Sequence, residues 1–185
     1  IDSVRFVGNR SSGRMGFTLA AASAARGARV TLVAANAALA TPPGVDRVDV
    51  TTAAELQAAV EGAFDGCDVL LMAAAVADFR PVDPVDAKLK KSGREDLTIV
   101  LEPTADVLAG VAARKAPGQT VVGFAAEHGD GALDYGAGKL ERKRLDAIVV
   151  NDVSQPGIGF DTPDNEVTIL TAAGATPVPR AGKDA

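Results

Sequence analysis

The sequence predicts an α/β protein: a Rossmann-like, three-layer open sheet, mostly parallel, ending in a C-terminal β-hairpin. Three observations predict it. Short apolar runs alternate with helix-length segments along most of the chain, the pattern of right-handed crossovers in a parallel sheet. The run Asp68–Ala73 (DVLLMA) lacks polar alternation, as a strand covered on both faces should. The tail breaks the pattern, with Glu166–Leu170 and Thr176–Val178 flanking Ala172-Ala173-Gly174-Ala175, a hairpin signature.

Each element has a local reason. Ser12–Arg26 reads as a helix, with Met15, Leu19 and Ala22 at i, i+4, i+7 and Gly27 as its stop. Arg29–Ala34 (RVTLVA) is a short apolar strand, followed by a turn-rich segment containing Thr41-Pro42-Pro43-Gly44. Thr52–Ala63 is a second helix, opened by a capping box of Thr52 and Glu55. Asp68–Ala73 and Leu97–Leu101 read as strands, Thr104–Lys115 as a helix and Thr120–Phe124 (TVVGF) as a strand. Asp134–Arg144 is a helix and Ala147–Val150 (AIVV) a strand. Between them Arg80–Glu95 is rich in Pro, Asp and Lys. A loop of that length in a compact domain is often a functional lid.

With 185 residues, 47 % hydrophobic and 23 % charged, the chain suits one soluble domain with its own core. No apolar run approaches the ~18–20 residues of a membrane span. No basic segment followed by an apolar one stands at the start of the given sequence, so no secretory signal is expected. A net charge of −5 argues against non-specific nucleic-acid binding. One His, one Tyr and no Trp leave no His-rich zinc site and no stacking platform. Cys67 is the only cysteine, so no internal disulfide forms and a reducing cytoplasm is expected. Without a basic neighbour, Cys67 reads as a small buried hydrophobe. His128 reads as an exposed loop residue.

Gly8–Gly16 (GNRSSGRMG) places small hydrogen-bonding groups before an alanine-rich helix. Free N–H groups and a positive dipole end suit an anion there. A serine-capped surface loop is the plainer reading, and no Gly-Lys-Ser/Thr follows to make a P-loop. AAAVAD at Ala73–Asp78 lies just past a strand, where ligands of open α/β sheets collect. Asp78 there could meet a ribose or a metal, or form an Asx-turn. Lys88, Lys90 and Lys91 lie in the long loop. Lysine suits phosphate, but spacing alone favours a solvated basic run. Lys139 and Lys143 are i, i+4 on one helix.

GNRSSGRMG, AAAVADFRP (73–81), AKLKK (87–91), GFAAE (123–127), KLERKRLD (139–146) and VNDVSQPGIGF (150–160) occur in that order. Together they resemble the bacterial phosphopantothenoylcysteine synthetase family, over nearly all of residues 1–185. The family is commonly the C-terminal half of a coenzyme A biosynthesis protein. It normally begins with a further strand and ends in a further helix, and this sequence is expected to lack both. Residues 1–185 match only the ligase half in this resemblance and not the flavin-dependent decarboxylase half, so no FMN is expected in them.

The resemblance implies a CTP-dependent, cytoplasmic phosphopantothenate–cysteine ligase. The carboxylate of 4′-phosphopantothenate attacks the α-phosphate of CTP and releases pyrophosphate. The amine of L-cysteine then displaces CMP from the acyl-cytidylate. Such chemistry needs two polyanions brought together and donors aimed at developing charge, not a protein nucleophile. That agrees with a sequence lacking any Ser-His-Asp or Cys-His set. Asn9 and Lys88 are implied as catalytic, Asn9 holding the intermediate and Lys88 serving the first half-reaction. CTP contacts are implied at Ser11, Ser12, Gly13, Met72, Ala73, Ala74, Asp78, Lys88, Thr104, Ala105, Asp106, Val107, Phe124, Lys139 and Lys143. Phosphopantothenate contacts are implied at Arg5, Asn9 and Ala75. Asp78 is the candidate ligand for Mg²⁺ or another divalent ion, the usual companion of a triphosphate. Thr104–Val107 reads Thr-Ala-Asp-Val where the family has Asn-Pro-Asp-Ile, which favours backbone over side-chain contacts. Asn151-Asp152 is expected at the site edge in a structural role. A homodimer is implied, with the tail strands or the lid meeting the partner chain.

Two other readings compete. An NAD(P)-dependent oxidoreductase needs GxGxxG after a strand and an acidic residue about 20 residues on. The glycine spacing differs, and Asn36 follows RVTLVA. A non-catalytic nucleotide-binding domain is the other reading, against which the presence of both Asn9 and Lys88 argues.

Overall fold

The computed structural model describes residues 1–93, 95–127, 129, 131–152 and 164–182. In chain order its elements are α1 (Arg14–Ala25), β1 (Val30–Ala35), β2 (Val45–Val50), α2 (Ala53–Phe64), β3 (Val69–Met72), β4 (Phe79–Pro81) and β5 (Leu101–Pro103). They continue with α3 (Val107–Ala113), β6 (Thr120–Glu127), α4 (Ala132–Arg142), β7 (Ala147–Asp152), β8 (Asp164–Thr171) and β9 (Gly174–Gly182). The chain divides into two units. The smaller holds Ile1–Arg10 and Ala75–Asp106; the larger holds Ser11–Ala74 and the chain from Val107 onward. The joins therefore fall inside GNRSSG, AAAVAD and TADV, three of the stretches that sequence reading singles out.

In the larger unit the main sheet has the order β3-β6-β7-β8-β9. β3, β6 and β7 run parallel, in register Met72↔Gly123↔Ile148, and β8 and β9 run antiparallel. β1 and β2 form a second, parallel ladder. The mostly parallel sheet and the C-terminal hairpin are thus both present. Because β3, β6 and β7 are parallel, their carboxyl ends share one edge, which carries Met72–Ala74 and the end of β6.

Helix α2 forms as the sequence dictates. Thr52 Oγ1 accepts from the Glu55 N–H at 3.1 Å, and the Glu55 carboxylate accepts from the Thr52 N–H at 3.1 Å. Hydrogen bonds from the Thr51 and Thr52 N–H groups hold the Glu55 carboxyl below its ordinary value. Leu56, Val60 and Phe64 of α2 are buried at i, i+4, i+8, one face of the helix. Phe64, Val111, Val121 and Ile148 are the largest fully buried side chains, each stabilising the fold by about 1.5–3 kcal/mol through lost apolar exposure.

Several elements differ from expectation. Helix α1 begins at Arg14, after Gly13 in the left-handed region (φ +73°), with no side-chain cap. Its buried residues are Phe17 and Ala20, while Met15, Leu19 and Ala22 are half-buried. β2 (VDRVDV) is a strand where a turn-rich segment is expected, since three charged residues mask its alternation. β6 continues past Phe124 to Glu127. Helix α3 starts at Val107, three residues after Thr104. Helix α4 ends at Arg142, leaving Lys143 as its C-cap.

In the smaller unit β4 and β5 pair antiparallel, with Arg80 ion-paired to Glu102 at 2.8 Å. Of the expected strand Leu97–Leu101, only Leu101 joins a ladder. Nor is Arg80–Glu95 a free lid. Arg80 and Pro81 belong to β4, the Val82 N–H donates to the Val100 carbonyl, and the Val85 N–H donates to the Ile1 carbonyl. Among the described residues no helix is long and apolar enough to cross a membrane.

Candidate active site

The implied site residues divide between the units. Ser11, Ser12, Gly13, Met72, Ala73, Ala74, Val107, Phe124, Lys139 and Lys143 lie in the larger; Arg5, Asn9, Ala75, Asp78, Lys88, Thr104, Ala105 and Asp106 lie in the smaller.

In the larger unit the serine-glycine stretch is brought to the carboxyl edge of the sheet. A Cβ built on Gly16, in the first turn of α1, would lie 3.9 Å from Ala73 Cβ, just past β3. The left-handed Gly13 turns the chain into α1, and its N–H donates to Ser11 Oγ at 3.3 Å. That bond occupies a serine oxygen with the turn itself, so Ser11 shapes the loop. Ser12 is half-buried and Ser11 exposed. Met72 is 7 % and Val107 4 % exposed. Their side chains belong to the core, so any ligand contact there is made by backbone. Ala73 is half-buried and Ala74 exposed; their small side chains keep the strand end open to a close approach. Phe124 is half-buried on β6, which buries Val121, Gly123 and Ala125 on its other face.

Lys139 reaches the same edge. Its Nζ lies 2.9 Å from Glu127 Oε1 at the end of β6, and 4.6 Å from the Tyr135 ring centroid. The ammonium is already ion-paired, so a phosphate must compete with Glu127 for it. Glu127 is a site-edge residue that sequence reading misses; the stretch GFAAE contains it, but nothing in the spacing links it to Lys139. Asn151, at the end of β7, has a buried Oδ1 with no hydrogen-bond partner among the described residues. His128 and residues 153–160 of VNDVSQPGIGF lie outside the described residues.

The smaller unit draws its two segments together through side chains. Asn9 Nδ2 donates to the carbonyls of Ala75 (3.3 Å) and Val76 (3.1 Å), tying GNR to AAAVAD. Thr104 Oγ1 donates to the Ala77 carbonyl, and the Thr104 N–H donates to the Asp78 carbonyl at 2.8 Å. The Thr104 side chain therefore has a definite job, holding the AAAVAD backbone. Asp78, Ala105 and Asp106 are exposed.

Arg5 is not a free phosphate ligand. Its Nε and Nη2 donate to Asp2 Oδ2, and Nη2 also donates to the Leu89 carbonyl at 2.8 Å. The Arg5 side chain remains 44 % exposed while that of Asp2 is fully covered. The Arg5 guanidinium holds the Asp2 carboxyl well below the usual carboxylate range, against the opposing effect of burial, with help from the Val4, Leu89 and Arg5 N–H groups. Arg5 thus lies beside the Leu89–Lys90 peptide. Lys88, Lys90 and Lys91 are exposed and make no ion pair among the described residues.

Among the described residues no three His, Cys, Asp or Glu side chains cluster to hold a metal. Asp78 could offer one carboxylate, which suits an ion held chiefly by substrate phosphates. Cys67 is half-buried. Burial and the neighbouring Asp68 charge push its thiol pKa up, as an unreactive thiol requires.

Comparison with known proteins places this geometry. The model of the DNA/pantothenate metabolism flavoprotein C-terminal domain matches residues 1–185. The Coenzyme A biosynthesis bifunctional protein CoaBC of Escherichia coli (strain K12) is 44 % identical over 186 residues, covering 100 % of this chain and 46 % of that protein. The chain thus spans about half the length of this curated relative. The crystal structure of the C-terminal domain of a CoaBC protein superposes with a TM-score of 0.81 at 34 % identity, covering 100 % of this chain and 82 % of the other. A Cab2 mutant in complex with phosphopantothenate-cysteine shares the fold, with a TM-score of 0.76 at 16 % identity, covering 98 % of this chain and 77 % of that one.

Proposed function

The chain belongs to the DNA/pantothenate metabolism flavoprotein C-terminal domain family, and we propose that it is a CTP-dependent phosphopantothenate–cysteine ligase of coenzyme A biosynthesis. The observation that carries the reading is a double link between the same two motifs. GNRSSGRMG meets AAAVAD through Gly16 and Ala73 in the larger unit, and through Asn9, Ala75 and Val76 in the smaller. Full-length likeness to the second half of CoaBC supports it. So does the Cab2 complex, whose ligand is the product this reaction would give.

The chemistry runs in two steps. A carboxylate oxygen of 4′-phosphopantothenate forms a bond to the α-phosphorus of CTP, and the bond to the β-phosphate oxygen breaks. Pyrophosphate leaves with that electron pair. Lys88 and its neighbours Lys90 and Lys91 offset the charge of the polyphosphate, and the exposed part of Arg5 offsets that of the pantothenate phosphate. The amine of L-cysteine then attacks the acyl carbon, loses a proton, and expels CMP carrying the former carboxylate oxygen. Asn9, fixed by two carbonyls, orients the acyl-cytidylate for that attack. Mg²⁺, held by the phosphates with Asp78, would supply further charge neutralisation. In the larger unit Lys139, paired with Glu127 at the end of β6, offers a cation at the carboxyl edge of the sheet, whereas Lys143, the C-cap of α4, lies at the helix end that leads back to the start of β7.

The working protein is, in this reading, a cytoplasmic homodimer with a flavin-dependent decarboxylase domain in its full-length form; the bifunctional name of the relative supports the second domain alone. Exposed apolar residues of the smaller unit, including Phe6 and Val100, favour a partner surface. The test is pyrophosphate release from CTP, with ATP and NADH as controls. Release that requires phosphopantothenate is expected. Nicotinamide binding without release would point instead to an oxidoreductase.

A further inference from the structure

We infer that Asp2 is a positioning residue that latches the cationic loop to Arg5. Its carboxylate accepts five hydrogen bonds. Oδ1 takes the Val4 N–H (2.9 Å) and the Arg5 N–H (2.8 Å), while Oδ2 takes Arg5 Nε, Arg5 Nη2 and the Leu89 N–H (3.0 Å). Arg5 Nη2 in turn donates to the Leu89 carbonyl at 2.8 Å. Both backbone groups of Leu89 are therefore held by one ion pair, 84 and 87 residues away in sequence. The carboxylate is fully covered, and a covered charge with every lone pair used fixes its partners in one arrangement.

The residues on either side of Leu89 are Lys88 and Lys90, both exposed. The latch fixes their backbone and leaves their ammonium groups outward. It also fixes Arg5 through its Nε and Nη2, while Nη1 makes no hydrogen bond among the described residues. One carboxylate thus ties a guanidinium to the backbone between two lysines. A preset cationic array loses less freedom when a polyanion arrives than a floppy loop does. The catalytic consequence rests on the ligase reading; the latch itself does not.

The experiment compares the full chain with Asp2→Asn, Lys88→Ala and the double variant. The first readout is hydrogen exchange at the Leu89 amide, which needs no substrate. It is expected to speed up at least about tenfold in Asp2→Asn, with exchange at Val121 in the core unchanged. The second readout is single-turnover pyrophosphate release. Asp2→Asn is expected to slow it about tenfold in the wild-type background and less than about twofold when Lys88 is already Ala, because the latch acts through that loop. Unchanged exchange at Leu89 overturns the latch. An equal loss in both backgrounds overturns the positioning role and leaves Asp2 a generic structural residue. Slow Leu89 exchange in a wild-type chain that releases no pyrophosphate overturns the ligase reading and the catalytic use of the latch, not the latch. If Asp2→Asn does not fold, Asp2→Glu, which keeps the charge and shifts it by one methylene, is measured in the same way.

Discussion

At the scale of single residues, exposed cations such as Lys88 differ from side chains that hold backbone, such as Asn9 and Thr104. Lys88 is exposed and unpaired among the described residues, so its charge is free for phosphate. Lys88→Ala should lower the rate of pyrophosphate release by about 10²–10³-fold, the usual cost of removing one charge-stabilising donor. Single-turnover assays check this, and a rate near wild type would count against the assignment. Asn9 has two duties, because its Nδ2 also holds Ala75 and Val76. Asn9→Ala should destabilise the fold by about 1 kcal/mol and slow amine attack more than cytidylate formation. Equal losses in both half-reactions would reduce Asn9 to its structural duty. Lys88 and Asn9 were legible in the sequence only through their motifs. Asp2 was not, because a lone Asp three residues before an Arg looks like an Asx-turn; its contact with Leu89 arises only in the folded chain.

At the scale of elements, glycine placement decides how α4 meets the sheet. A Cβ on Gly136 would lie 2.5 Å from Val150 Cγ2 and 3.3 Å from Leu170 Cδ1, so the helix packs on bare backbone. Gly136→Ala gains helix propensity of about 1 kcal/mol but forces overpacking that costs about 1–3 kcal/mol. The net expectation is a loss of stability, read as a lower midpoint in urea; a more stable variant would contradict the packing. Asp146, before β7, bonds Lys115 Nζ at 2.5 Å and the Val121 N–H at 2.7 Å. Burial pushes its pKa up, but those bonds and the Lys115 charge outweigh it and hold the carboxyl below its ordinary value. Its contribution is therefore present above the unfolded value near 3.9 and lost as pH falls through the lower folded value. Acid titration of stability should show a shallower loss below pH of about 4 in Asp146→Asn. Helix α2 was legible because its capping box is a local code. Helix α1 began later than expected because a left-handed glycine, not a serine side chain, turns the chain there. β2 was hidden because Asp46, Arg47 and Asp49 carry turn-like and solvent-facing chemistry through a strand.

At the scale of the whole molecule, the parallel strands and terminal hairpin could be read from apolar runs, since each is contiguous. The division into two units could not. The smaller unit is assembled from Ile1–Arg10 and Ala75–Asp106, and its β4–β5 ladder and Asp2–Leu89 bond join segments with no shared periodicity. Motifs that look separate along the chain, GNRSSG and AAAVAD, are linked within each unit, which is why the ligase reading rests on them together. Its central claim is that carboxylate activation passes through a cytidylate. Phosphopantothenate labelled with heavy oxygen in its carboxylate, incubated with CTP, L-cysteine and the full chain, tests it directly. The account predicts one labelled oxygen in the CMP and none in the pyrophosphate. Label in inorganic phosphate, or ligation that leaves CMP unlabelled, would contradict it.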